Sequence, residues 1–352
     1  MAVADPVQSI ADLQRLVDPQ QFRRRVLKYL QTLRTPDGAY VNTPGEPAYM
    51  DPTSYGYEAR IFLNDPLSAA DQTVLADQIN ALQDPETGSF RRRPEPTEAD
   101  RQRLYDGAYW RQTSFALFTL HMVEATPRYP IRFVEPYRDP KKMLEFISDP
   151  RWWGNDGWGG STEVCAIHRL IRWRRWATND WLDAYFGWLN ERQDPETGYW
   201  SVEDAADLWP GFGCTYHLLQ AYYQEQRPIR YVDRILETTL RLQYDGDPTG
   251  HWQSNHSAMD ALNLFVCLAP FIADRSLAAR IDRATVETAA AVLATQNPDG
   301  GLCQGRQPER RGKPLAQDSD MDATRYGVAA LIQARYVDGV FCNAVCRAHW
   351  PW

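Results

Sequence analysis

Apolar residues recur at steps of three and four along several segments of this chain, with charged residues between them. This spacing is typical of amphipathic α-helices that have one face in the core and one face in water. It predicts outer helices over residues 22–33, 74–82, 181–189, 232–242 and 284–293. Because no segment alternates apolar and polar residues for long, we expect an all-α chain.

A second series of segments is apolar around most of the helical circumference and is richer in small residues. Helices of that character are buried. Many of these segments begin at Ser, Thr or Asp, which are favourable N-cap residues. They predict inner helices over residues 53–63, 113–120, 162–170, 213–222, 259–268 and 322–331.

A short phrase connects each outer segment to the inner segment that follows. It has a Gln, then a turn of Pro, Asp and Gly, then an aromatic or apolar residue, as in residues 83–90 and 193–200. Its glycines fall at positions 38, 88, 157, 198, 250 and 300. A period of roughly 50 residues signals repeated supersecondary units. Six helical hairpins can close into an (α/α)6 toroid, and the repeat predicts one such domain over residues 1–352.

The inner helices all follow the turns, so their N-termini should surround one mouth of the toroid. We therefore predict that Asp51, Glu163, Asp320 and Asp322, which precede or begin inner helices, lie at that mouth. Two polar inserts adjoin it, the first at residues 91–105 and the second at residues 303–317. They are either flaps over the mouth or solvated loops.

The composition narrows the classes of function. A net charge of −8 argues against nucleic acid as a partner, because its ligands need a basic face. No apolar run is long enough for a membrane helix, which leaves peripheral membrane contact open. The six cysteines are scattered and form no CxxC pair, and no secretory signal is visible at the N-terminus. We expect reduced thiols and a cytoplasmic location.

The turn phrase, with an apolar helix after it, resembles the QW-type repeat of the terpenoid cyclase and protein prenyltransferase superfamily. The resemblance covers almost the whole chain and is greatest to single-domain class II terpene cyclases of the merosterolic acid synthase kind. It implies a cavity for an isoprenoid. Class II cyclases begin one inner helix with Asp-x-Asp-Asp-Thr-Ala, and its middle Asp protonates an alkene or epoxide.

The similar segment here is Asp-Ser-Asp-Met-Asp-Ala-Thr at residues 318–324, with Ala323 in place of the last Asp. The resemblance implies Asp322 as the proton donor, with Asp320 and Asp318 as its electrostatic neighbours. Protonating an alkene requires an acid that keeps its proton in an apolar site. Burial and a neighbouring carboxylate both raise the pKa of a carboxyl group.

Further candidates lie at other inner-helix starts. Asp51 retains one acidic position of the motif, and His256 stands where a partner of the acid could lie, close to Asp260. Each has a structural alternative, since an Asp at a helix start is a good N-cap and a lone His usually serves packing. The same alternative applies to Asp320.

Aromatic faces stabilise a carbocation without capturing it. We predict that substrate contacts come from aromatic residues near the mouth and from two carboxyl groups. These are Tyr49, Tyr55, Tyr109, Trp110, Trp158, Trp209, Phe212, Trp252, Glu163 and Asp260. Alternatively, the aromatic residues only pack each turn against its neighbour.

We predict no metal site and no cofactor. Protein prenyltransferases bind zinc through Asp, Cys and His, and the nearest set here, Asp299, Cys303 and His256, does not reproduce their spacing. The acidic run at residues 318–322 leaves a Mg²⁺ ion open.

The leading hypothesis is protonation-initiated cyclisation of a small hydrophobic polyprenyl or meroterpenoid substrate. One alternative is a carbohydrate-active (α/α)6 hydrolase or lyase, which needs two cavity carboxyl groups. The other is a non-catalytic toroid that binds a ligand or a partner. A closed aromatic cavity with one acidic cluster at its top favours the cyclase.

Overall fold

The computed structural model describes residues 8–102, 104–154, 157–201, 203, 207–244, 252, 254–305 and 317–340, without the side chains of residues 157 and 158. Within these residues the chain is all-α, with isolated β-bridges and no strand, as the hydrophobic pattern predicts. The helices are α1 Ile10–Leu16, α2 Pro19–Thr32, α3 Met50–Phe62, α4 Ala69–Asn80, α5 Glu98–Arg101, α6 Trp110–Met122, α7 Pro140–Ile147, α8 Gly157–Trp173, α9 Asn179–Arg192, α10 Trp209–Glu225, α11 Val232–Tyr244, α12 Asn255–Leu268, α13 Arg275–Leu293 and α14 Met321–Gln333.

The outer layer consists of α2, α4, α7, α9, α11 and α13. In α2, Asp18 caps the first turn by accepting hydrogen bonds from two backbone N–H groups, and Pro19 occupies the first helical position. The helix buries Phe22, Val26 and Leu30, which follow one another at four-residue steps. The remaining face is charged and lies in water.

The inner layer consists of α3, α6, α8, α10, α12 and α14. Each inner helix packs against the next one in this order, and α14 packs against α3, so the layer closes into a ring. Helix α10 is buried on nearly every side, which its apolar composition explains. The predicted all-α toroid of inner and outer helices is confirmed.

The recurring Gln ties two of the turns to the neighbouring hairpin. Gln83 Nε2 donates hydrogen bonds to the carbonyl oxygens of Gly88 and Tyr129, at 3.0 and 2.7 Å. Gln193 makes the same pair of bonds in the fourth unit. Gly88 has a φ of 78°, and a Cβ atom there would lie 2.0 Å from the carbonyl oxygen of Pro130. The phrase therefore needs glycine both for its backbone conformation and for space.

Each described turn is also fastened to the start of its inner helix. The hydroxyl of Thr324 in α14 accepts a hydrogen bond from the backbone N–H of Leu302 at 3.0 Å. Thr53, Thr113 and Thr215 accept the equivalent bond in α3, α6 and α10. These bonds place four inner-helix N-termini on the turn side. The threonine that matches the cyclase motif thus has a structural role common to several units.

The third unit departs from the predicted spacing. Gly157 is the first residue of α8, and the glycine with a positive φ is Gly154, at 69°. The Pro150–Trp152 3₁₀-helix explains the difference, because it shortens the turn before the inner helix. Gly250 of the fifth unit lies outside the described residues.

The first and last units are joined by side chains from near both ends of the described chain. Gln14 Nε2 donates to the carbonyl oxygen of Tyr336 at 2.9 Å, and the Tyr336 hydroxyl donates to that of Val17 at 2.7 Å. The backbone N–H of Val340 donates to the carbonyl oxygen of Phe62. In the part of the chain that the structure describes, no helix has the length and apolarity to cross a bilayer.

Candidate active site

A cavity of about 220 Å³ lies inside the ring of inner helices. All six inner helices contribute to its wall. The charged and polar members include Glu58, Arg111, Arg169, His217, Gln220 and Arg325. The aromatic members are Phe115, Phe118, Tyr216 and Tyr326. A larger, open depression of about 720 Å³ lies on the outer layer at α11 and α13, and none of the predicted site residues lines it.

Two carboxyl groups of the predicted motif share one amide donor. Asp320 is the N-cap of α14, and its Oδ1 accepts a hydrogen bond from the backbone N–H of Ala323 at 2.6 Å. Gln304 Nε2, from the second insert, lies 3.2 Å from Asp320 Oδ2 and 3.2 Å from Asp322 Oδ2. Asn255 holds Gln304 through a bond from its backbone N–H to the Gln304 carbonyl oxygen.

Both carboxyl groups have raised pKa values, which favour their protonated forms. Burial raises the pKa of Asp320 to about 6, with the Ala323 N–H opposing the shift and Asp322 adding to it. Burial likewise raises the pKa of Asp322, while Gln304, Arg325 and Arg111 oppose the shift. Asp322 lies one helical turn before Arg325 and Tyr326 of the cavity wall. Two neighbouring carboxyl groups with raised pKa values thus lie near the cavity wall.

Asp51 occupies the same register in α3 as Asp322 does in α14, two residues before the threonine that holds the turn. Its carboxylate forms an ion pair with Arg92 of the first insert, at 2.6 Å. Arg111 occupies this register in α6. The electrostatic influence of Asp51 and Arg111 on the pKa of Asp322 shows that the three groups lie near one another at the mouth.

The wall on the α3 and α14 side contains a buried ion pair. Arg325 Nη2 lies 2.8 Å from Glu58 Oε2, and both side chains are largely inaccessible to water. The Arg325 guanidinium also lies over the rings of Tyr55 and Tyr326, at 5.1 and 4.7 Å from their centroids. The aromatic face predicted at Tyr55 therefore already contacts a cation.

His256 and Asp260 lie together on α12, with His256 on the cavity wall. His256 Nε2 is 3.7 Å from Asp260 Oδ2, and the imidazole stacks on Tyr326 at 4.0 Å. Burial, with Arg325 and Arg111 nearby, lowers the pKa of His256 to about 3. Burial also raises the pKa of Asp260 well above its usual value. Burial therefore favours the neutral form of both groups.

Asp318 and Glu163 lie apart from the cavity wall. Asp318 is exposed, while Glu163 is buried and its Oε2 accepts a hydrogen bond from the backbone N–H of Arg111 at 2.8 Å. A carboxylate at the start of α6 is favourable for the helix dipole. Among the described residues, no three His, Cys, Asp or Glu side chains are arranged to hold a metal ion.

The predicted aromatic residues pack the turns and the outer wall and do not line the cavity. Tyr49 stacks under Arg92 and Arg93, and Tyr109 is the N-cap of α6. Trp110 joins a cluster with Tyr137 and Phe146. This arrangement corresponds to the alternative that aromatic residues after the turns serve packing.

Trp209, Phe212 and Trp252 form a second cluster, in which the rings of Phe212 and Trp252 stack at 5.3 Å. The Trp252 indole N–H donates to the hydroxyl of Thr288 at 3.0 Å. The side chain of Trp158 lies outside the described residues. Direct substrate contact by these residues stays a prediction.

The sequence analysis missed most of the cavity wall. Most of the charged and polar residues of the wall lie in the interior of the inner helices, away from the turns on which the analysis concentrated. The available signal was a polar residue inside a helix that is apolar on every side. Arg169, in the segment Cys-Ala-Ile-His-Arg-Leu-Ile of α8, is the clearest case. Such a residue must face a partner or a cavity.

The fold is shared with a type II terpene cyclase of known structure. The apo structure of MstE from Scytonema, a type II terpene cyclase, matches 90% of this chain and 97% of that chain, with a TM-score of 0.50 and 13% identity. The apo structure of an MstE variant matches 90% of this chain and 96% of that chain, with a TM-score of 0.47 and 12% identity. No family model and no curated protein matches this chain. Its fold is therefore type II terpene cyclase-like, as the turn phrases predicted.

Proposed function

We propose that this protein catalyses a protonation-initiated, class II-type cyclisation of a polyprenyl or meroterpenoid substrate. The observation that carries the proposal is the pair Asp320–Asp322. Both carboxyl groups have raised pKa values and share the neutral amide donor of Gln304 at the mouth of the cavity. Asp322 is the proton donor, and Asp320 is its electrostatic neighbour.

The first step moves one proton from the Asp322 carboxyl group to a terminal alkene carbon. The alkene π electrons form the new C–H bond and leave a carbocation on the adjacent carbon. Internal alkenes then attack in turn, each forming a C–C bond, until the last cation loses a proton to a base. The reaction has no net gain or loss of atoms. Arg325, Arg111 and Gln304 stabilise the Asp322 carboxylate that the first step creates.

The cavity wall supports this reaction over sugar hydrolysis. A glycosidase needs one carboxyl group as acid and another as base or nucleophile on opposite sides of its substrate. Among the described residues of the wall, Glu58 is the one carboxylate, and Arg325 already binds it. The rings of Phe115, Phe118 and Tyr216 offer apolar contact and aromatic faces to a hydrocarbon chain.

We expect Asp322→Asn to lower turnover by about 10²–10⁴-fold, because an amide cannot supply the acidic proton. The matched control is Asp51→Asn, which removes a carboxylate from the same register of α3. We expect this control to retain most of the activity. The measurement is product formation from a C15 or C20 polyprenyl substrate, with thermal melts of both variants.

Full activity of Asp322→Asn would rule out this residue as donor. If only Asp51→Asn were inactive while both variants melted as the wild type does, Asp51 would be the acid. If the wild type bound polyprenyl compounds but converted none, the non-catalytic binding toroid would be the better description.

A further inference from the structure

The cavity wall has more positive charge than its carboxylates can neutralise. Three arginines line the cavity, and the described part of its wall has one carboxylate. Glu58 neutralises Arg325 through their buried ion pair. The lowered pKa of His256 leaves that side chain neutral. The two remaining guanidinium groups belong to Arg111 and Arg169.

Arg169 has a neutral partner. Its Nη2 donates a hydrogen bond to Oε1 of Gln220, which also lines the cavity. Burial raises the pKa of the neighbouring Cys165 thiol to about 12 and lowers that of His168, so both groups are uncharged at pH 7. Among the described residues, no carboxylate lies within ion-pairing distance of Arg169.

Arg111 lies near Asp51 and Asp322, and it forms no ion pair among the described residues. Its Nε atom is buried and has no hydrogen-bond partner among the described residues. Leaving guanidinium groups in a small, partly closed cavity is costly unless an anion joins them. The cavity is small, at about 220 Å³, so an anion inside it lies close to these groups.

We propose that the substrate carries an anionic oxygen group, a carboxylate or a phosphate, and that Arg169, positioned by Gln220, binds it. The planar guanidinium group presents two parallel N–H donors, which match the oxygens of either group. Gln220 keeps one edge of the guanidinium occupied and so fixes its orientation. This inference rests on the proposed function for the identity of the hydrocarbon part.

The position of Arg169 also sets the direction in which the substrate enters. Glu163 contacts the start of α6, and Arg169 lies six residues later on α8, which is about 9 Å further along the helix axis. Asp322 is at the mouth, at the start of α14. The anionic end therefore lies deep in the cavity, and the terminal alkene points out towards the acid.

The test compares a C15 polyprenyl alcohol, the corresponding carboxylic acid and the corresponding monophosphate, with binding to the full chain measured by calorimetry. We expect the acid or the monophosphate to bind at least about tenfold more tightly than the alcohol, as a charge-assisted hydrogen bond implies. The tighter of the two anions identifies the group. Arg169→Gln should remove this advantage and leave the affinity for the alcohol unchanged.

Arg172→Gln is the matched control, since it removes the same charge one turn further along α8. Arg172 is paired with Glu225 at 2.8 Å and does not line the cavity. The anion affinity of the Arg172→Gln variant should match that of the wild type. Arg169→Lys keeps the positive charge but lacks the two parallel N–H donors of the guanidinium group. This variant should retain only part of the preference for the anions over the alcohol.

Equal affinity of the wild type for the alcohol and both anions would overturn the inference, as would undiminished anion binding by Arg169→Gln. Asp322→Asn separates this outcome from the proposed function. If it binds the anion normally but converts nothing, both ideas are supported. If the wild type converts a neutral polyprenyl compound without any anion preference, the cyclase stands and the anion site does not.

Discussion

Asp51 and Asp322 occupy equivalent positions on two inner helices, yet their partners differ. Each stands two residues before a threonine that fastens a turn, and each is contacted by a residue that follows a turn. Asp51 receives the guanidinium of Arg92, whereas Asp322 receives the amide of Gln304. The first partner is a cation and the second is neutral. The partner supplied by the insert, and not the position on the helix, distinguishes the two aspartates.

Asp260 extends the comparison to a carboxyl group that has no hydrogen-bond partner among the described residues. Both of its oxygens are buried, and Oδ2 lies 3.7 Å from Nε2 of His256. The three aspartates thus form a series. Asp51 has a charged partner, Asp322 has a neutral partner, and Asp260 has no hydrogen-bond partner among the described residues. The same fold can hold an acid ionised or protonated according to which side chain it places against it.

The most direct test of this comparison is Gln304→Arg, which gives Asp322 a cationic partner like that of Asp51. A cation there lowers the pKa of Asp322 and leaves less protonated acid, so we expect turnover to fall by about 100-fold near pH 6. The pH profile of the remaining activity should move to lower pH. Gln304→Met, which stays neutral, is the control. Equal losses in the two variants would mean that Gln304 acts through shape and not through charge.

A second test follows the free energy of unfolding of the wild type and Asp320→Asn against pH. The folded-state pKa of Asp320, about 6, lies above its usual value of 3.8, so its contribution to stability is fully present below pH 3.8 and is lost as the pH rises through 6. The advantage of the wild type over the variant should fall by about 3 kcal/mol across this window, at ~1.4 kcal/mol per unit of pKa.

The control is Asp318→Asn, at an exposed position in the same segment. Its stability difference from the wild type should vary little over the same window. A flat difference for Asp320→Asn would show that its carboxyl group acts only as an N-cap.

A third test concerns Asp260→Asn. Because burial raises the folded-state pKa of Asp260 above 3.8, its contribution to stability is present below pH 3.8 and diminishes as the pH rises. An amide has no charged form to disfavour, so the variant should be more stable than the wild type at pH 8. At pH 4 the difference should disappear. A destabilised variant at pH 8 would indicate an ionised Asp260 with a partner.

The fold could be predicted because hydrophobic periodicity and the turn phrases act locally. Gln83 and Gly88 have the same tasks as Gln193 and Gly198, so the copies of the phrase reinforce one interpretation. The acidic motif could also be located, since it begins a predicted inner helix. The role of Thr324 could not be recognised from the motif alone, because the equivalent bonds at Thr53 and Thr113 become apparent only in the structure.

The cavity wall could not be predicted in the same way, because its members meet across the ring. Glu58 and Arg325 are 267 positions apart, and neither has a local partner that identifies it. The partner of Asp51 comes from an insert that the sequence describes only as polar. The sequence could not show which aromatic residues line the cavity, since a ring beside a glycine turn packs locally whether or not a cavity lies nearby.

The contacts that join the first and last units determine when this protein can complete its folding. Gln14 and Tyr336 are 322 positions apart, and the Val340 backbone bonds to the end of α3. During synthesis, the earlier hairpins can form while the ring is still open, but α3 must wait for α14. Contacts so distant in sequence are expected to slow folding. Helix α14, which carries Asp322, therefore also completes the ring, and a ribosome-bound chain that stops before it should be unable to carry out the proposed reaction.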